Sequence, residues 1–227
     1  MDRKELYLNV RKAFRLVYEV QDSIFGMVEY IGSKIKHDKY AGAQLFADQI
    51  EKHKSKIDEY ADQRFGGKTW TWAFFPTFMY IYYFQGKNKG VQKSSFSIIQ
   101  VIDDGCFKAL GNTSIPSTKD FKKPEDSESY LLFAFSIWKD NDYIWFYRNE
   151  KREELDEREG IFKISESIKN NRNEPYVVSN DNTSSFIVKR VNLESIGSKE
   201  EADQVLQDFA KLVLDKTGYQ LLLEDPK

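Results

Sequence analysis

Between Trp70 and Phe84 the chain reads WTWAFFPTFMYIYYF, nine aromatic residues in fifteen with no charge among them. Rings of this size bury ~150–250 Å² each and dominate whatever interior or interface they enter. Such a run is either the centre of a sheet or a surface built to hold something. Its second half alternates Phe78, Tyr80, Tyr82 and Phe84 with Met79, Ile81 and Tyr83. Both sets are apolar, which suits a central strand covered on both sides. Pro76 is expected at or before the start of that strand, because proline has no N–H for a ladder.

What precedes the run has a different period. Leu6, Val10, Ala13, Val17, Val20, Ile24, Met27 and Ile31 are spaced 4-3-4-3-4-3-4, a heptad seam that predicts one helix over about the first 33 residues. Tyr7, Phe14, Tyr18 and Phe25 form a second stripe on a neighbouring face. Gly26, inside the pattern, suggests a close contact or a bend. After a break at Gly32–Lys39, Ala43, Phe46, Ile50, His53, Ile57 and Tyr60 repeat the seam spacing and predict a second helix from about Tyr40 to Gln63, ended by Gly66-Gly67. Two adjacent helices with matching seams read as a helical hairpin, and the rival reading pairs a seam with another copy of the chain.

Beyond the aromatic strand the pattern is mostly period-two. GKNKG at Gly86–Gly90 reads as a turn, SSFSIIQVIDDG as a strand, and residues 111–128 as a long loop. Ser129–Trp138 reads as a further strand, with KDND turning into YIWFYR. Lys151–Glu159 is a charge run, read as a short exposed helix or loop, and the apolar segment IFKISESI follows Gly160. YVVS and SSFIVKRVNL flank a turn and read as the last hairpin. The final helix has the strongest local markers. Ser198 and Glu201 form a capping box, Ala202, Val205, Leu206, Phe209, Leu212 and Val213 form an apolar face, and Gly218 ends it. The tail YQLLLEDPK offers a short edge strand.

The order is helices, strands, helix. It predicts an α+β fold, with an N-terminal helical hairpin over residues 1–65 and a mostly antiparallel sheet of five or six strands over 66–227. The helices are expected on one face of the sheet, with the C-terminal helix packed on it, and both parts in one continuous domain. There is no βαβ alternation and no G-x-G-x-x-G, which argues against a doubly wound nucleotide-binding fold.

Composition narrows function mainly by exclusion. A net charge of −2 and a pI near 5.9 argue against a dedicated duplex-DNA binder, whose affinity comes from neutralising phosphates. One cysteine allows no internal disulfide and no cysteine-based zinc site. The first residues lack the apolar run of a signal peptide, and nothing approaches the ~18 apolar residues of a membrane span. A cytoplasmic, reducing location without membrane contact is expected.

The candidate sites follow from residue type and place. Trp70 and Trp72 share one strand face and could line a pocket mouth, with Tyr80 and Tyr82 further along the same segment. Lys87 and Lys89 stud the following turn beside these aromatics, the combination used to hold single-stranded nucleic acid. Asp103 and Asp104, in DDGC at the end of an apolar strand, could hold a divalent metal, although Asp-Asp-Gly is also ordinary turn chemistry. Neither His37, placed in the interhelix loop, nor His53 lies where it would serve Cys106 as a base, and no G-x-S-x-G elbow is present. No catalytic residue and no cofactor is assigned.

The expectation that follows is a non-enzymatic interaction or regulatory protein. It would dock a protein partner through its N-terminal helices or its aromatic sheet edge, or pair as a homodimer through the Leu6–Ile31 seam. Two other classes stay open. One is a small-ligand or nucleotide-binding, metal-dependent hydrolase with an aromatic-lined pocket, and the other is a single-stranded nucleic-acid binder.

Overall fold

The computed structural model describes residues 2–44, 79–86, 92–109, 118–139, 157–171, 173–180 and 184–223. Helix α1 spans Arg3–Lys34 and strand β1 spans His37–Gln44. Three strands follow: β2 (Met79–Gly86), β3 (Gln92–Val101) and β4 (Tyr130–Lys139). Helix α2 (Glu157–Asn170), strands β5 (Tyr176–Asn180) and β6 (Ser184–Asn192), and helix α3 (Lys199–Thr217) complete the order. The six strands form one sheet in the order β1-β2-β3-β4-β6-β5, and every neighbouring pair is antiparallel. The α+β fold expected from the sequence is the fold observed.

Both faces of the sheet are covered. On one face Tyr82, Phe84, Phe96, Phe133 and Ile187 pack beneath Ile24, Val28 and Ile31 of α1 and Leu206, Phe209 and Val213 of α3. Phe209 sits 5.7 Å from Phe133 and 5.8 Å from Phe96 between ring centroids. On the other face Ile81, Ile99, Leu132 and Val188 pack beneath Ile161, Ile164 and Ile168 of α2, with Cys106, Phe107 and Phe121 alongside. The expectation of helices on one face is therefore corrected. IFKISESI forms most of α2, and its isoleucines at 3-4 spacing close the second face. The physical reason is visible in β2 and β4, whose alternate residues are apolar on both sides, so neither face can be left in water.

The second expected helix is corrected at its start. Tyr40–Gln44, placed in that helix, belongs to β1, which pairs with β2 from His37↔Gly86 to Gln44↔Tyr80. Ladder bonds to the aromatic strand outweigh a helical spacing that begins only at Ala43. The remainder of that helix, residues 45–63, lies outside the described residues, as do Gly66-Gly67, residues 111–117 of the long loop, and YIWFYR.

Local signals at α3 were accurate. Ser198 Oγ accepts from the Glu201 amide at 3.1 Å and Glu201 Oε2 accepts from the Ser198 amide at 3.0 Å, a complete capping box. Gly218 ends the helix at φ 70°, a left-handed conformation that glycine adopts without strain. The tail joins the fold through an antiparallel bridge between Ile35 and Leu222, with Leu221 buried in the core. At Gly32 α1 lies so close to the sheet that an added Cβ would stand 2.7 Å from the Phe84 ring. At Gly26 the same test meets open space, so that glycine serves no close contact.

Candidate interaction ridge and the sites around it

Helix α1 is 32 residues long, and only its last third is packed on the sheet. Its buried residues are Ile24, Val28 and Ile31. The seam from Leu6 to Val20 is exposed, and with it Tyr7 and Leu16. Fractional exposures run from 37 % at Val17 to 61 % at Leu16. At 100° per residue Leu6, Val10, Ala13 and Val17 lie on the same meridian as Ile24, Val28 and Ile31. One apolar stripe thus begins under the sheet and runs off its edge into solvent. Lys4, Arg11, Lys12 and Arg15 lie on the opposite arc. The expected Leu6–Ile31 seam is corrected in extent. Its Ile24 and Ile31 belong to the protein's own core, where no partner can reach them.

A polar clamp marks the place where α1 leaves the sheet. Gln21 Nε2 donates to the Tyr82 hydroxyl at 2.8 Å, that hydroxyl donates to Gln100 Oε1 at 3.0 Å, and Gln100 Nε2 donates to Gln21 Oε1 at 2.8 Å. The three groups satisfy one another, which fixes the register of α1 on β2 and β3. Burial pushes the Tyr82 phenol well above its ordinary value, against the smaller opposing effect of the Gln21 bond, so it stays a neutral donor. Further along, the Tyr30 hydroxyl donates to Asp203 Oδ2 at 2.8 Å, tying α1 to α3.

The other sequence-derived candidates are dispersed. Tyr80 and Tyr82 are buried on the face covered by α1, with centroids 4.7 Å apart, and line no open pocket mouth. Trp70, Trp72, Lys87 and Lys89 lie outside the described residues. Asp103 Oδ1 accepts from the Gly105 amide at 2.8 Å. Asp104 Oδ1 accepts from the Glu128 amide at 2.9 Å, and the Asp104 amide donates back to the Glu128 carbonyl at 3.1 Å. Both carboxylates therefore hold backbone in the turn after β3. Among the described residues no group of three or more His, Cys, Asp or Glu could hold a metal ion. Cys106 is buried, and its thiol is pushed up to about 12, first by burial and then by the Asp103 and Asp104 charges, so it is not a thiolate at neutral pH.

One pairing escaped the sequence. His37, expected in a loop between helices, is the first residue of β1 and only 4 % exposed. Ser94 Oγ lies 3.2 Å from its Nε2 and donates to the Tyr219 hydroxyl at 3.2 Å, a polar chain that links β1, β3 and the C-terminal tail. Nδ1 is buried with no hydrogen-bond partner, so no carboxylate orients this ring as a catalytic base requires. Burial outweighs the nearby Asp38 charge and lowers the imidazole to about 4, which keeps it neutral. A cavity of about 690 Å³ opens beside it, bounded by Gly32, Lys36, Gln92, Lys93, Tyr219 and Leu223. No sequence signal could find this corner, because it brings together residues 37, 94 and 219.

On a second face, Arg190 stacks 4.0 Å over the Tyr130 ring and reaches Glu128 Oε2 at 3.3 Å, and Lys169 of α2 meets the same carboxylate oxygen at 2.7 Å. The Lys169 bond does most to hold Glu128 below its ordinary range. This network fastens α2 and β6 to the turn before β4.

Fold and ridge together define the class: an α+β protein with an antiparallel sheet whose central strands are covered on both faces, and one helix that outruns it. Residues 1–218 match the sequence model of the PM0109 family, and the chain belongs to that family. No curated protein and no solved structure matches the chain. Among the described residues no helix is long and apolar enough to cross a membrane.

Proposed function

We propose that this protein is an interaction module that docks a protein partner along residues 6–20 of α1. One observation carries the proposal: the apolar stripe that anchors α1 to the sheet continues past the Gln21 clamp as an exposed ridge. A ridge of this kind lowers its free energy by removing apolar area from water, at about 25 cal/mol per Å². Large exposed apolar patches mark interaction sites for the same reason. The helix also needs support. Asp2 makes no side-chain cap bond at its N-terminus, and helices in proteins draw most of their stability from packing of an apolar face rather than from propensity. Of the aromatic sheet edge, Tyr80 and Tyr82 are interior and Trp70 and Trp72 lie outside the described residues, so the reading is carried by α1.

The test is site-directed photo-crosslinking in cells. A benzophenone side chain at Leu16, exposed on the flank of the ridge, should give a protein adduct, and the same group at exposed Lys211 of α3 should not. The adduct should vanish in the Val10→Asp, Val17→Asp double variant. Absence of any adduct at Leu16, or equal adducts at both positions, would refute the proposal.

A further inference from the structure

We infer that the partner on this ridge is a second copy of the chain, in antiparallel orientation with a two-fold axis passing near Ala13. The inference rests on the interaction reading above and adds the occupant and its direction. The exposed seam is Leu6, Val10, Ala13, Val17 and Val20, and its outer members stand seven residues to either side of Ala13. A stripe balanced about one residue is self-complementary under a two-fold axis through it, as an isologous contact requires. Alanine at the centre, with valines and leucine outward, lets two helix backbones approach closely.

The fold itself selects the direction. From Ile24 onward the same meridian is occupied by the protein's own sheet. Two parallel, in-register helices would each place that sheet in the space between them, and the two sheets would overlap. Antiparallel helices put the two sheets at opposite ends of the ridge and leave the seam clear. The basic arc of Lys4, Arg11, Lys12 and Arg15 then faces away from the contact, so like charges are not buried against one another.

The size of the ridge sets the strength. Fifteen residues make a footprint about 22 Å long and ~10 Å wide. Side-chain corrugation raises that to roughly 300–400 Å² per copy, about half of a standard interface, which places the pair among weak, reversible contacts.

The test uses the purified full-length chain. Sedimentation should show dimer rising from a minority to a majority of the protein between about 1 and 100 μM. The Val10→Asp, Val17→Asp variant should stay monomeric throughout with an unchanged circular dichroism spectrum. Orientation is read by disulfide trapping, for which the buried Cys106 is a silent background. Ala13→Cys should oxidise to a covalent dimer. Leu6→Cys and Val20→Cys should cross-link when mixed, and each alone should not. Homotypic cross-linking at Leu6→Cys would mean a parallel pair and overturn the geometry. A chain that is monomeric at 100 μM would overturn the second copy. In that case, a Leu16 photo-adduct with a different protein leaves the interaction reading standing. A monomer whose residues 6–20 resist hydrogen exchange would mean that another part of the same chain covers the ridge, and both proposals would fall. Co-sedimentation of the monomer with phosphatidylcholine–phosphatidylserine vesicles would replace the protein partner by a lipid surface.

Discussion

The two ends of α1 share one apolar stripe and have opposite surroundings. Ile24, Val28 and Ile31 are interior to the face they share with α3 and the sheet, while Leu6, Val10, Val17 and Val20 stand in solvent on the same meridian. Periodicity therefore reports which side of a helix seeks cover and says nothing about whose atoms supply it. That difference can be broken or sharpened experimentally.

The largest expected effect comes from a carboxylate on each end. Val28→Asp places an unpaired charge in the core and should cost at least about 4 kcal/mol, lowering Tm by roughly 10 °C or more. Val17→Asp, read at 1 μM, should stay within about 0.5 kcal/mol of the parent. Equal losses in thermal denaturation would mean that residue 17 is packed as residue 28 is.

Acid should loosen the anchored end next. The unfolded chain protonates His37 near its ordinary 6.5, whereas the folded chain resists until about 4. The stabilisation from keeping it neutral is complete above pH 6.5 and is lost as pH falls from 6.5 to 4, by about 3 kcal/mol. Urea denaturation across that window should show His37→Leu with a shallower pH slope than the parent, whatever its absolute stability. An unchanged slope would mean that His37 is not the buried neutral imidazole described here.

The clamp between the two ends is worth less. Tyr82→Phe removes one donor and one acceptor from the triad but leaves the Gln21–Gln100 bond, so it should cost about 1–2 kcal/mol. Amide exchange in α1 should rise near residue 21, where the clamp ends the anchored part, more than near residue 28.

The smallest effect has the opposite sign. An added Cβ at Gly26 meets open space, so Gly26→Ala should stabilise the protein by ~0.5–1 kcal/mol through helix propensity. Destabilisation measured by calorimetry would reveal a contact at that position after all.

Where local chemistry decides an element, the sequence was a sufficient guide. The Ser198 box, the Gly218 cap, the strand character of Tyr80–Phe84 and the long first helix all rest on side chains within a few residues of the backbone they act on. Legibility failed where a distant ladder intervened. Tyr40–Gln44 became strand because β2 lay beside it, and IFKISESI became α2 because the second face of the sheet needed a cover. The candidate site divided in the same way. The ridge was visible as a heptad spacing, but which half of it was available depended on where the sheet stopped. The His37–Ser94–Tyr219 corner left no trace at all, since its members are separated by 57 and 125 positions.

By itself, then, the sequence determined the fold class, the end signals of α3 and an α1 with one side that must be covered. Those follow from periodicity, capping and turn chemistry, which act over one or two turns of chain. Tertiary structure alone decided that α2 is the cover of the second face, which of two open readings held for Tyr80 and Tyr82 and for Asp103 and Asp104, and that the seam of α1 divides at Gln21. Each of these depends on how far the sheet extends, a length that arises only when strands remote in sequence pair.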